Sequence, residues 1–204
     1  CGGVNETDCL RVVDKMYTKG VSSVLDYSVE GKEEEAQFDA ALNMTLKTIE
    51  FAREREAIPF AVFKPTGFGR LALYEKVGEK AYLTENEQKE WNRVIERFDI
   101  ACKTAFEKDV LLLIDAEESW MQDAADAIVT DMMRKYNKQK AIVFNTLQMY
   151  RWDRLDYLKN LHEQAKAEGY YIGMKLVRGA YMEKENERAA ERGQKSPICI
   201  SKEA

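Results

Sequence analysis

The sequence predicts an α/β protein of the (β/α)8 TIM-barrel type, in which about five β/α units follow an N-terminal helical arm. Three observations support this fold class. Short runs rich in Val, Ile, Leu and Phe alternate with longer segments whose apolar residues recur every three or four positions. The short runs lack the strict apolar–polar alternation of half-exposed strands, which favours a parallel sheet covered on both faces. Polar residues stand at the carboxyl ends of these runs, as they do around the mouth of a barrel.

The predicted strands are the short apolar runs. They cover residues 21–27, 60–64, 110–115, 141–146 and 171–177. The polar residues expected at their carboxyl ends are Asp26, Lys64, Asp115, Asn145, and Lys175 together with Arg178. Because the carboxyl ends of parallel strands meet at one edge of the sheet, we expect these side chains to surround a single mouth.

The segments between the strands carry helix signals. Thr84 and Glu87 can form a capping box at the start of an amphipathic helix, because the hydroxyl and the carboxylate satisfy free backbone amides. Residues 119–122 are the expected cap of the next helix, and Gly169 is a natural stop for the one after it. An acidic run at 33–35 lies in the first turn of an earlier helix, where negative charge complements the helix dipole.

Strand–helix alternation is consistent with two architectures, a doubly wound sheet and a barrel. No G-x-G-x-x-G motif follows a strand, so the doubly wound dinucleotide fold lacks its usual signature, and the polar strand ends favour the barrel. A barrel needs eight strands, but the last segment, 186–204, is charged and adds none. We therefore expect a helical arm at 1–20 and a partial barrel at 21–204 that stops before closure.

Composition argues against several functional classes. The net charge is −5 and the basic residues are spread through helical stretches, so nucleic acid is not an expected partner. No apolar run reaches the roughly 20 residues of a membrane helix. The four cysteines form no C-x-x-C pair and there is a single histidine, so no metal site and no histidine-based triad is expected.

The strand-end residues form a candidate active site. Lys64 and Asp115 end neighbouring strands and can pair, which lets both charges lie in a partly buried mouth. Asn145 offers a donor and an acceptor to the edge of a heterocycle, and Lys175 adds positive charge close to the aromatic Tyr181. Such a mouth suits an anionic small molecule or an electron-accepting ring, and these residues alone leave the reaction open.

Five segments, in order along the chain, resemble the proline dehydrogenase family. The strongest is 175–185, in which KLVRGAY followed by acidic residues is similar to the family's (K/R)-L-V-(K/R)-G-A-Y motif. The others are VLDY at 24–27, FKPT at 63–66, IDAEE at 114–118 and FNTLQMY at 144–150. Single matches of this kind are weak, whereas five in the family's order are specific. The chain resembles the single-function enzymes, including mitochondrial ones, more than the fused bacterial proteins.

The resemblance implies a (β/α)8 barrel that holds FAD at its carboxyl mouth. It implies oxidation of L-proline to Δ1-pyrroline-5-carboxylate by hydride transfer to FAD, the first step of proline catabolism, with electrons then passed to a quinone. It also implies peripheral association with the cytoplasmic face of a bacterial inner membrane or, as the alternative, a place at the mitochondrial inner membrane or matrix.

The roles of individual residues are implied by the resemblance alone. The implied catalytic residues are Lys64, Asp115, Lys175 and Tyr181. The implied cofactor contacts are Asn145, Lys175, Gly179 and Ala180, and the implied substrate contacts are Lys64, Leu176 and Tyr181. Lys64 would lie beside the flavin and the proline carboxylate, with Asp115 orienting the charges around it. Lys175 would reach the reactive centre of the isoalloxazine ring.

The chain departs from the family after residue 185. Nothing in 186–204 resembles the family's last strands, which carry an arginine pair for the proline carboxylate. We therefore expect that this chain alone neither closes the barrel nor oxidises proline.

Two other functions fit the same residues. In a lysine-dependent aldolase, Lys64 or Lys175 would form a Schiff base, which requires a depressed pKa. In an interaction module, a truncated or degenerate barrel would only bind a partner, and it would have no reason to keep polar groups at successive strand ends. Borohydride trapping with a carbonyl substrate would reveal the aldolase.

Overall fold

Five strands and seven helices form the described part of the chain, residues 6–26 and 31–201 of the computed structural model. The strands are β1 (Val24–Leu25), β2 (Phe60–Phe63), β3 (Leu111–Ile114), β4 (Val143–Gln148) and β5 (Met174–Val177). The helices are α1 (Glu6–Tyr17), α2 (Glu35–Ala52), α3 (Leu71–Gly78), α4 (Glu85–Glu107), α5 (Ser119–Tyr136), α6 (Arg154–Glu168) and α7 (Met182–Glu191). A 3₁₀ turn at Pro65–Gly67 follows β2, and α3 is an additional helix that the sequence analysis does not predict.

The five strands of this sheet are parallel and lie side by side in chain order. Each connection therefore steps to the next strand in the same direction, whereas a doubly wound sheet reverses its strand order at a switch point. Consecutive order with helical crossovers is the arrangement of a barrel wall. The predicted α/β fold of the barrel type is confirmed.

The strands occur where the sequence predicts them, but some of their ends differ. β4 continues beyond its predicted end to Gln148, because residues 145–148 pair with residues 174–177 of β5. The expectation that Asn145 ends a strand is therefore wrong, since Asn145 lies inside β4. Lys175 likewise lies inside β5 rather than at its end. Tyr27, the predicted end of the first strand, lies outside the described residues.

The hydrophobic core lies between the sheet and the helices packed on it. Alternate strand residues point to this side, and they include the buried side chains of Phe63, Leu112, Ile114 and Val143. Phe63 stacks on Phe68, with ring centroids 4.3 Å apart. Fully burying side chains of this kind contributes about 1.5–3 kcal/mol each, so this layer holds the sheet rigid and supports the residues on its opposite face.

Two predicted helix ends are confirmed and one is wrong by a residue. Thr84 and Glu87 form the predicted capping box of α4, with the Thr84 amide donating to Glu87 Oε2 at 2.8 Å. Gly169 ends α6 in the left-handed conformation, with φ of 70°. In α5, however, Glu118 occupies the cap position and Ser119 is the first helical residue. The Ser119 hydroxyl is thus available for a contact outside its own helix.

We predict that Gly173→Ala destabilises the sheet. A Cβ atom at Gly173 would lie 2.7 Å from the Val143 carbonyl oxygen and 2.8 Å from the Phe144 ring, and neither group can move without disturbing β4. Overpacking of this kind costs about 1–3 kcal/mol, measurable as a lower midpoint in chemical denaturation.

Gly78→Ala is the matched control for this substitution. The nearest atom to its added Cβ, the Trp120 carbonyl oxygen, lies at an ordinary 3.5 Å, so the midpoint should stay level or rise slightly. Equal midpoints for the two variants would contradict the close approach at Gly173.

Candidate active site

A layer of polar side chains crosses the face of the sheet that is turned away from the core. Leu113 of β3 pairs with Phe144 of β4, and Thr146 of β4 pairs with Lys175 of β5. Since side chains alternate along a strand, Asp115 shares a face with Leu113, and Thr146 shares it with Phe144. Asp115, Thr146 and Lys175 therefore lie in one row at the carboxyl end of the sheet, and Lys64 follows β2 at the same level.

Asp115 and Lys175 form an ion pair in this row. The Lys175 ammonium donates to Asp115 Oδ1 across the intervening strand β4. The Asp115 side chain is 18% exposed and the Lys175 side chain is 30% exposed, so the pair is only partly solvated. Its attraction is therefore stronger than that of a pair on the surface. The sequence allows Asp115 to pair with Lys64 at the neighbouring strand end, whereas its partner in this ion pair is Lys175. The reach of the lysine side chain allows a partner two strands away.

Glu117 is a buried carboxylate that sequence reasoning missed. Its side chain accepts hydrogen bonds from the Thr66 amide at 2.9 Å and the Thr66 hydroxyl at 2.7 Å. Its backbone is held as well, because the Glu117 amide donates to Gln122 Oε1 and its carbonyl accepts from Gln148 Nε2. Glu117 thus ties the turn after Lys64 to the loop after β3. The IDAEE segment was the available signal, but only its aspartate was singled out.

The Glu117 carboxyl has a shifted pKa. Burial raises the pKa from its ordinary 4.5 to about 7, although the hydrogen bonds from Thr66 and the charge of Lys64 lower it. The nearby charge of Glu118 raises it further. A proton on this buried group is therefore gained and lost in the neutral pH range, next to the mouth.

Asn145 lies on the opposite face of β4, toward the helices. It is buried, and its side-chain amide donates to Asp126 Oδ1 of α5 at 2.8 Å. Asp126 is in turn ion-paired with Arg154 of α6 at 2.8 Å, both side chains being buried. The Asn145 side-chain oxygen accepts from the Thr146 amide at 2.8 Å. This network joins β4 to its flanking helices. It directs the side chain of Asn145, which was predicted to contact the flavin, away from the mouth.

Leu176 is also separated from the polar row. It follows Lys175 in β5, so alternation places it on the other face, beside Leu147 of β4. Its side chain is 64% exposed. The strand therefore does not bring Leu176 together with Lys175, and its role in a proline pocket stays a prediction.

The turn between β5 and α7 carries the remaining predicted residues. Gly179 has a φ of 96°, a conformation that side chains rarely adopt. Tyr181 stands immediately before α7 and is half-buried, while Ala180 is exposed. The Tyr150 hydroxyl accepts a hydrogen bond from Gln148 Nε2 at 2.9 Å. Burial raises the pKa of this hydroxyl above its ordinary value, although hydrogen bonds with the Tyr181 backbone and Gln148 lower it. These contacts place the turn beside the end of β4.

A cavity of about 650 Å³ lies against this turn. Its lining residues come from the loop after β4, the turn after β5, the first residue of α7 and the segment 199–201, and they are Met149, Tyr150, Arg178, Gly179, Met182, Cys199, Ile200 and Ser201. The last segment is held in place because the Cys199 amide donates to the Tyr150 carbonyl at 2.8 Å. An apolar cavity with one cation, next to a polar row, suits a ring system that carries an anionic group.

Comparisons with known proteins identify what the chain is similar to. Residues 9–204 match a family model described as proline dehydrogenase. The chain is 39% identical over 166 residues to the carbapenem antibiotics biosynthesis protein CarD of Pectobacterium carotovorum subsp. carotovorum, which covers 81% of this chain and 44% of that protein. It is 41% identical over 121 residues to the mitochondrial proline dehydrogenase 1 of Homo sapiens, covering 59% of this chain and 20% of that protein. The chain thus spans less than half the length of these relatives.

Solved structures show the same fold. Proline utilization A (PutA) from Bdellovibrio bacteriovorus, inactivated by N-propargylglycine, superposes with a TM-score of 0.80 at 18% identity, over 96% of this chain and 21% of that one. A PutA mutant from Bradyrhizobium japonicum gives 0.72 at 17% identity, over 89% of this chain and 18% of that one. At this level of identity the likeness concerns the fold.

We predict that Glu117→Gln changes how stability depends on pH. Because the folded protein holds this carboxyl at a pKa of about 7, above the ordinary 4.5, its protonated form contributes stability that is fully present below about pH 4.5. That contribution is lost as pH rises through 7, and a shift of this size corresponds to about 3 kcal/mol. Wild type should lose stability relative to Glu117→Gln between about pH 5 and 8, measured by urea denaturation.

Glu96→Gln, an exposed change on α4, is the control and should follow wild type across this range. Parallel curves for wild type and Glu117→Gln would show that the buried carboxyl does not titrate there.

Proposed function

The chain belongs to the proline dehydrogenase family, and on this premise we propose that it carries part of the active site of an FAD-dependent enzyme that oxidises L-proline to Δ1-pyrroline-5-carboxylate. The observation that carries the proposal is the Asp115–Lys175 ion pair in the polar row, on the face of the sheet turned away from the core. A positive charge held by a carboxylate on a rigid strand is suited to a ring that gains negative charge.

The residues at the mouth fit a flavin. The polar row supplies a fixed cation, Lys175. The cavity beside the β5–α7 turn combines apolar walls with Arg178. Gly179 and Ala180 bring backbone with little side chain to this place, which allows close approach of a cofactor. When bound, FAD supplies the capacity to accept a hydride from the ring carbon next to the proline nitrogen.

Lys175 and Asp115 have complementary roles in this proposal. Lys175 stabilises the charge that develops on the electron-accepting ring, because a preorganised cation in a partly desolvated site needs no rearrangement during the reaction. Asp115 holds the lysine ammonium in place through their ion pair. Asp115 directly follows β3 and Lys175 lies in β5, on either side of β4, so the sheet itself sets their separation.

Lys64 and Tyr181 are assigned to the substrate. Lys64 directly follows β2 at the level of the polar row, and its charge can attract the carboxylate of proline. The turn that follows Lys64 is fixed by the bonds between Thr66 and Glu117, which limits the movement of its backbone. Tyr181, half-buried before α7, can form an aromatic wall that excludes water from the reacting carbon.

Electron transfer to a quinone and peripheral association with a membrane complete the proposal. Within residues 6–26 and 31–201, no helix is long and apolar enough to cross a membrane. The similarity to the human mitochondrial enzyme supports the mitochondrial inner membrane or matrix. The similarity to CarD, a bacterial protein, supports the bacterial alternative.

The 39% identity with CarD favours a second candidate, in which the same oxidation serves antibiotic biosynthesis. A change of use of this kind would appear in substrate preference. If kcat/KM is higher for a ring-substituted proline than for L-proline, this second candidate is the better one.

We predict that the complete product of the gene, purified anaerobically, shows a visible flavin band that bleaches on addition of L-proline. Lys175→Met and Asp115→Asn should slow the bleaching by about 100-fold, the loss typical for removal of a preorganised charge. Stopped-flow absorbance measures both rates, and a denatured extract identifies the flavin.

Lys166→Met, on the exposed face of α6, is the matched control for loss of a lysine charge and should bleach at the wild-type rate. A colourless protein, or a flavin that ignores proline, would overturn the proposed function. A lysine trapped by borohydride with a carbonyl substrate would instead favour the aldolase.

A further inference from the structure

Glu185 makes a contact that the proposed reaction does not explain. It lies in the first turn of α7 and is 2% exposed. Its two carboxylate oxygens accept hydrogen bonds from the Ser119 amide and the Ser119 hydroxyl, both at 2.6 Å. A buried carboxylate from one helix therefore holds the first residue of another, and these residues are far apart in the sequence.

The start of α5 depends on this contact. Glu118 occupies the cap position, but within the described part of the chain its side chain makes no capping hydrogen bond. The free amide of Ser119 is satisfied by Glu185 instead, and the negative charge complements the dipole at the N-terminus of α5. Lys184, the residue before Glu185, pairs with Glu118 and adds a second link between the same helix ends.

These helix ends belong to the two loops that meet at the mouth. Residues 115–118 connect β3 to α5, and residues 178–181 connect β5 to α7. Near their strand ends, Asp115 of the first connection pairs with Lys175, which lies inside β5 shortly before the second connection begins. At their helix ends they are joined by the Ser119–Glu185 contact. The segments that lead into and out of these two loops are thus linked at two places, although the loops leave strands that are not neighbours.

We propose that Glu185 is a positioning residue that acts through the turn at 178–181. By holding α7 against the start of α5, it fixes the place of Tyr181 at the mouth and of Gly179 at the 650 Å³ cavity. The catalytic consequence rests on the proposed function, because it concerns binding of proline beside Tyr181. The mechanical coupling between Glu185 and the turn does not rest on it.

Hydrogen exchange on the complete gene product tests the coupling. In Glu185→Gln, amides in 178–182 should exchange about tenfold faster, together with those of the first turn of α5, because the contact limits local opening. Ser119→Ala removes only the hydroxyl partner and should give a smaller change in the same segments. Glu183→Gln removes the same charge from an exposed position in the same helical turn and should match wild type. Faster exchange confined to α5 would overturn the proposal.

Kinetics then tests the consequence for the substrate. Glu185→Gln should raise KM for proline about tenfold with kcat within about twofold, since binding is affected and the reacting charges are not. In a Tyr181→Ala background the same substitution should add no further increase, because both changes remove one feature. Additive effects would show that Glu185 acts elsewhere and would overturn the positioning role. If wild type does not oxidise proline, the proposed function fails, while hydrogen exchange still decides the coupling.

Discussion

Parallel pairing of the strands in chain order is the constraint on which the rest of the molecule depends. It brings the carboxyl ends of β2, β3, β4 and β5 to one edge, so that the loops following these strands come together there. It also aligns side chains across strands, which is why Asp115 and Lys175 can reach each other over β4. A shift of one residue in either pairing would turn one of these charges toward the apolar core.

Carboxylates link the loops at this edge to one another. Glu117 binds Thr66 across the β2 and β3 loops, Asp115 binds Lys175, and Glu185 binds Ser119. Each contact joins segments distant in sequence and satisfies hydrogen bonds at a place that must stay polar. Burying such groups is costly when a partner is lost, so this arrangement favours one defined loop geometry over maximal stability.

β4 separates two kinds of polar network. On the helix side, Asn145, Asp126 and Arg154 form a buried cluster that joins the strand to α5 and α6. On the other side, Thr146 and Gln148 belong to the mouth, where Gln148 contacts the Glu117 carbonyl and the Tyr150 hydroxyl. Successive side chains of a strand point to opposite faces. Asn145 therefore stabilises the packing of the helices, while Thr146 and Gln148 lie at the candidate active site.

Local pattern was enough to predict the α/β class, the places of the five strands, the capping box at Thr84 and the helix stop at Gly169, because periodicity and turn chemistry act within a few residues. Family motifs pointed to Lys64, Asp115 and Lys175, which the structure places at one level of the mouth.

The sequence did not reveal that Asp115 pairs with Lys175, that Asn145 faces the helices, or that Glu117 and Glu185 are buried anchors. Those features depend on where a strand ends and on register between strands. Hydrogen bonds to distant segments set both, so only the tertiary structure could decide them.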